Sequence, residues 1–343
     1  MKPCVHTSWL SLHGKENLTL KQASTLNDIT SRLEDPAEKW PSLLVLVGNE
    51  NRSTVMRCML PKGRNRRSDN LVKPVNLQID PQTTFTDRPV LFAHGEIPKH
   101  ITPLPDRAGD KCHQTTSHDL RWSEAGPIHA FNAIYSRLIH PFAEVICMFA
   151  SDCGGLPGVA DRLALWLELG TASTLRPITF PRLLVIAEPT TVLETEKSML
   201  ASLLSLLRKR SVRSYNECFS GISVLVNQPS SCTSTMKDRI LRESDKVRNE
   251  RIQNYSLFNA VHLGIFFNLA CENFVRSQTD PFDFIMASRV HRPVPDNLSQ
   301  YLMSFLTHVN SVQELKTFGI PMIASSLAQD NYTYDVHCRL YLS

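Results

Sequence analysis

"SLLVLVGNENRSTVM", residues 42–56, joins an unbroken aliphatic run to a polar stretch through a single glycine, Gly48. A run such as "LLVLV" (43–47) suits a strand buried on both faces, the kind found in helix-covered parallel sheets. The following "NRSTVMRCML" predicts a helix capped by Asn51 or Ser53 and ended by Pro61. Nucleotide-binding proteins place G-x-x-x-x-G-K-[ST] at such a junction, so that backbone N–H groups, a lysine and a hydroxyl meet phosphate and magnesium. Here Gly48 takes the first place, but Ser53, Thr54 and Val55 stand where the second glycine, the lysine and the hydroxyl are needed. Arg52 and Ser53 could replace the Lys-Ser pair only on a loop two residues shorter, too tight to wrap a β-phosphate. The stretch reads as a plain strand-to-helix turn. Its functional alternative is a degenerate phosphate loop of Gly48, Asn51, Arg52, Ser53 and Thr54.

Outward from this junction, strands and helices alternate. "PVLFA" (89–93), "EVICMFA" (144–150), "RLLVIA" (182–187) and "GISVLV" (221–226) are short buried runs, and "VNLQID" (75–80) alternates as an edge strand does. Ile128, Phe131, Tyr135 and Leu138 share one helical face, and Leu156, Val159, Ala160, Leu163, Ala164 and Leu167 form another. Residues 193–208 predict a leucine-rich helix ending in "RKR", and a short helix is expected near 19–34. Beyond residue 234 helices are expected at 235–252, 255–276, 281–288 and 296–308, the first of them with a charged, solvated face carrying Asp245 and Arg248. This pattern predicts an α/β fold: three-layered, P-loop-like, with a mostly parallel sheet and a C-terminal helical extension. The expected divisions are an N-terminal extension at 1–38, the α/β domain at 39–228 and the helical extension at 229–343.

Ligands of such sheets sit beyond the C-terminal ends of the strands. The residues expected to face that site are His94, Glu96, Asp152 and Glu188, with Thr115 and Thr116 reaching it from the irregular connection 94–126. GTPase chemistry needs Asp-x-x-Gly after one strand and Asn-Lys-x-Asp after another. The chain has His94-Gly95-Glu96-Ile97 and Glu188-Pro189-Thr190-Thr191 at those places. The arrangement predicts the fold pattern without the catalytic set.

The succession "LLVLVGNENRSTVMRCMLP", "DRPVLFAHGEIP", "KCHQTT", "HPFAEVICMF", "PRLLVIAE", "LRESDKVRNERIQNYSLFNAVHLGIFFNLACENF" and "DPFDFIMASRVHRPVPDNLSQYLMSFL" resembles the N-terminal region of large fungal patatin-like proteins, over residues 40–338. The resemblance implies a GTPase-like regulatory or scaffolding module upstream of a lipid acyl hydrolase, with a protein partner for which a patatin-like domain is the candidate. An acyl hydrolase in this chain is the weaker alternative, because its motifs are incomplete. "DCGGLPG" (152–158) matches part of the family's glycine-rich oxyanion loop, but Pro157 takes the place of its arginine, and the chain has neither Gly-x-Ser-x-Gly nor Asp-Gly.

Composition narrows the remaining classes. The net charge of +4 over 343 residues does not imply nucleic acid, and "KGRNRR" (62–67) reads as a solvated loop. Nine scattered cysteines without Cys-x-x-Cys suggest reduced thiols and a cytoplasmic protein, and adjacent Cys112-His113 and His337-Cys338 do not form a metal site. "MKPCVHTSWLSLHGKENL" lacks a signal-peptide core, and "YSLFNAVHLGIFFNLAC" (255–271) is short for a membrane span and carries three polar side chains (Asn259, His262 and Asn268). No cofactor is expected; were the chain a divergent NTPase acting through Arg52, Ser53 and Thr54, it would take GTP or ATP with magnesium.

Overall fold

The computed structural model describes residues 7–14, 17–60, 75–97, 113–122, 126–189, 194–227, 233–289 and 297–324. Strands β1 (Ser8–His13) and β2 (Thr19–Ala23) and helix α1 (Thr25–Thr30) come first. Next are β3 (Ser42–Val47), α2 (Glu50–Met59), β4 (Val75–Ile79), β5 (Val90–Gly95) and β6 (Thr115–Asp119). Helix α3 (Pro127–Ala133) continues into a π-helical turn, Ile134–Ile139, before β7 (Ala143–Phe149), α4 (Ala150–Cys153) and α5 (Gly155–Glu168). Strand β8 (Arg182–Ala187), α6 (Glu196–Arg210), β9 (Gly221–Val226), α7 (Thr233–Gln253) and α8 (Ala260–Arg276) follow.

The nine strands form one sheet in the order β6-β2-β1-β4-β5-β3-β7-β8-β9. Its pairings divide evenly. Strands β5, β3, β7, β8 and β9 are parallel to their neighbours, while the β6–β2, β2–β1, β1–β4 and β4–β5 pairs are antiparallel. The mostly parallel, P-loop-like sheet expected from the alternation is therefore incorrect. The reason lies in the connections. Only residues 80–89 link β4 to β5, too few for a parallel crossover, so β4 turns back beside its successor. That places "VNLQI" inside the sheet, where β1 covers the side an edge strand would leave open. The helix expected near 19–34 is likewise half strand: Thr19–Ala23 pairs with both β1 and β6, and only Thr25–Thr30 is helical.

Strands β3, β5 and β7 are buried along their whole length, as continuous aliphatic runs require. Alternate residues serve the two faces. On one face Leu44, Leu46, Phe92, Val145 and Phe149 pack against Val55, Met56 and Met59 of α2 and against Met236 and Ile240 of α7. Elsewhere in the core Phe267 of α8 stacks on Trp9 of β1, with ring centroids 4.4 Å apart.

The charged helix α7 departs from its expected solvated role. Its Lys237 pairs with buried Asp80 at 2.6 Å, Arg239 with Glu196 at 2.5 Å and Glu243 with Arg182 at 2.6 Å. Asp245 pairs with Arg88, not with Arg248, which reaches buried Glu144 at 3.7 Å. Charge on this helix is used to bind the sheet, and Met236, Ile240 and Val247 supply the apolar seal beneath.

The chain divides into two compact units, Met1–Phe282 and Asp283–Ser343. Strands β1 and β2 and helices α7 and α8, expected in separate segments, belong to the first. The second holds α9 (Phe284–Ser288), α10 (Leu298–Leu306) and α11 (Val312–Glu314), which runs into a π-helical turn, Leu315–Gly319. Among the described residues no helix is long and apolar enough to cross a membrane.

Candidate functional site at the strand ends

Strands β3, β5 and β7 end side by side, and the residues that follow them build the site. The chain leaves β3 at Gly48 and enters α2 with its first N–H groups free of intrahelical partners. Asp152 of α4, just beyond β7, fills that vacancy with its carboxylate. Oδ2 accepts from the backbone N–H of Asn49 at 2.6 Å and of Arg52 at 3.1 Å, and Oδ1 from that of Asn51 at 3.1 Å. A carboxylate at a helix N-terminus is favoured both by these hydrogen bonds and by the helix dipole. This is the place a phosphate occupies in a nucleotide-binding loop.

Gly48 is required by that contact. A Cβ there would lie 2.6 Å from Asp152 Oδ2 and 2.9 Å from the Arg52 Cβ. Helix α4 is followed by Gly154 and Gly155, at φ of +92° and +81°, which reverse the chain into α5 at an angle open only to glycine. The Asp-Cys-Gly-Gly stretch is thus a turn that holds out Asp152.

Arg52 does not face outward as a lysine substitute would. It is 5% exposed, and its Nη1 meets His94 Nδ1 at 2.7 Å while Nη2 donates to Ser53 Oγ at 3.1 Å. Because a guanidinium only donates, His94 Nδ1 must accept, and the ring carries its proton on Nε2. Burial, reinforced by the Arg52 charge, lowers the His94 pKa to about 3. Burial also lowers Arg52 itself and raises the Tyr135 hydroxyl well above its ordinary value. The Glu96 carboxylate is 3.9 Å from Arg52 Nη2, beyond hydrogen-bond reach. Asn49 Oδ1 accepts from Ile97 N at 2.9 Å and ties the α2 entrance to the end of β5.

Three polar atoms of this cluster, Arg52 Nε, His94 Nε2 and the Tyr135 hydroxyl, are buried without a hydrogen-bond partner. Each such omission costs about 1–3 kcal/mol if nothing fills it. Tyr135 belongs to the π-helical turn after α3, and its hydroxyl packs against Gly95, where a Cβ would overlap it. Sequence periodicity marked Tyr135 only as a helix-face residue; nothing in its neighbours signals that the hydroxyl ends beside Gly95.

The other expected residues separate. The Ser53 hydroxyl donates to Asn49 O at 2.8 Å and accepts from Arg52 Nη2 at 3.1 Å, and that of Thr54 donates to Glu50 O at 3.1 Å, so both protons are directed back onto their own helix. Glu188 follows β8 and accepts from Ser151 Oγ at 3.3 Å, one residue from Asp152. Thr115 and Thr116 lie on β6 at the far edge of the sheet, five strands away from β3, and do not reach the site. Above α2 an open depression of about 530 Å³ is lined by Asn49, Glu50, Ser53, Thr54, Arg57 and Glu96. Among the described residues no group of three or more His, Cys, Asp or Glu side chains could hold a metal ion. The "KGRNRR" loop, Cys112 and the His337-Cys338 pair lie outside the described residues.

No model of a known protein family matches the chain, and no curated protein matches it significantly.

Proposed function

We propose that the chain is a non-catalytic regulatory or scaffolding module whose strand-end anion site is filled by its own carboxylate. One observation carries this reading: the three backbone N–H groups that would receive a phosphate are already bound to Asp152. The inward turn of Arg52, which takes its guanidinium to His94, supports it and weighs against the NTPase alternative with GTP or ATP and magnesium. The module works by binding a protein partner. The sequence resemblance makes a patatin-like domain the candidate, in the cytoplasm, where the free thiols of Cys58, Cys147, Cys153, Cys218 and Cys271 would stay reduced.

The test is calorimetry of the purified chain with GTP, GDP and ATP in magnesium, with thermal melting alongside. The expected result is no binding heat and no rise in Tm at millimolar nucleotide. Micromolar, magnesium-dependent binding, which raises Tm by mass action, would overturn the proposal.

A further inference from the structure

Helix α10, in the second unit, is out of keeping with the other apolar helices. Leu298, Tyr301, Leu302, Phe305 and Leu306 recur at helical spacing and share one side, with Ser299, Gln300 and Ser304 on the other. Helices α5 and α8 bury their apolar stripes, yet none of the nine residues of α10 is buried. Phe305 meets Phe318 of the π-helical turn after α11, with ring centroids 6.2 Å apart, so the two segments are neighbours. The second segment adds Phe318, Ile320 and Met322, all exposed. Charge is nearly absent: residues 297–307 hold no Asp, Glu, Lys or Arg, and 308–324 only Glu314 and Lys316.

Size, shape and charge select what covers this surface. The two segments, each a helix about 10 Å wide, present roughly 300 Å² of face. A stable pair of proteins buries about 800 Å² on each side. The apolar groups also stand on more than one side, since Met303, among the polar residues of α10, is 69% exposed. A rigid groove covers one side of a helix; a fluid hydrocarbon layer closes around a convex one. Hydroxyl and amide flanks suit the headgroup zone of such a layer, and α10 has no Lys or Arg for anionic lipid to attract. Among the described residues no helix is long enough to span a bilayer, so contact is with its surface.

We propose that α10 and the turn after α11 lie in the surface of an uncharged, loosely packed lipid layer, with Tyr301, Phe305, Leu306 and Phe318 inserted. The Tyr301 ring enters the layer while its hydroxyl stays at the wet boundary. The proposal draws only on the second unit and is independent of what the strand-end site binds.

The test is flotation of the full chain with small sonicated vesicles of dioleoylphosphatidylcholine. The chain is expected to float, equally at low and high salt. Tyr301→Asp combined with Leu306→Asp, at positions 61% and 40% exposed, is expected to abolish flotation at unchanged Tm. Tyr301→Trp, which keeps an aromatic ring with a polar edge, should float and lose its added fluorescence to vesicles with brominated acyl chains. Absence of flotation on these vesicles, flotation only on phosphatidylserine that salt removes, or flotation kept by the Asp pair would each overturn the proposal. So would an unquenched tryptophan at 301, or a lipid-free dimer that the Asp pair dissociates, which would give this face to a second copy of the chain.

Discussion

Asp152 shows how much one side chain can settle. Its carboxylate joins the end of β7 to the first turn of α2 through three N–H bonds, and the close approach of Gly48 leaves no room for a different residue beneath it. Removing it would leave those N–H groups half-buried and unpaired. Asp152→Ala should lower stability by about 2–3 kcal/mol, from the lost cap and its charge-assisted bonds. Urea denaturation would read this as a lower midpoint at unchanged slope, and a change under about 0.5 kcal/mol would show the cap to be idle. Gly48 and Asp152 were each visible in the sequence as site residues. Their relation was not, because the two are 104 positions apart in sequence, and only the β3–β7 pairing brings them together.

At the scale of the element, α7 is the instructive case. Its composition, dominated by charge, reads as solvated surface, yet it covers one face of the sheet. Five of its charged side chains, Lys237, Arg239, Glu243, Asp245 and Arg248, find partners on other parts of the fold: Asp80, Glu196, Arg182, Arg88 and Glu144. Glu144 is the innermost of these, bound by Ser244 and flanked by Arg88 and Arg248. Removing the charge of a buried, paired group is strongly unfavourable, and Glu144→Gln should cost about 3 kcal/mol. The measurement is chemical denaturation of both chains at neutral pH; equal stabilities would mean that the network contributes nothing. Periodicity located α7, α8 and α6 to within a few residues because helical stripes are local. It misread β1, β2 and β4, whose place depends on pairing with residues far along the chain: β6 meets β2 across about 100 positions.

For the whole molecule, two buried histidines set the acid limit. His94 and His140 are both held neutral by burial, each with a pKa of about 3, against an ordinary value of 6.5. The sign follows from proton counting. Unfolded chains take up protons on these rings below pH 6.5 while the native state does not, so the stabilisation is complete above that pH and declines toward pH 3. Two such groups give a slope of about 2.7 kcal/mol per pH unit in the window between. Stability measured at pH 7, 6, 5 and 4 should fall steeply across the last three points, and a flat profile from 6 to 4 would contradict the buried neutral assignment. Parallel strands β3, β5, β7, β8 and β9 were legible as aliphatic runs. The mixed character of the sheet was not, because it rests on the short connections 14–18 and 80–89 and on long-range pairing of β1 with β4 and β2 with β6.

The position of α7 in the chain has a bearing on how the protein is made. Arg88 and its partner Asp245 are 157 positions apart. At about 5–20 residues per second, a ribosome takes about 8–30 s to pass from one to the other. Throughout that interval the sheet face under α7 lacks Met236 and Ile240, and ionic groups such as Arg88 await counterparts not yet translated. The sheet face is thus finished late, and only when α7 has left the ribosome can its apolar seal and its ion pairs close together.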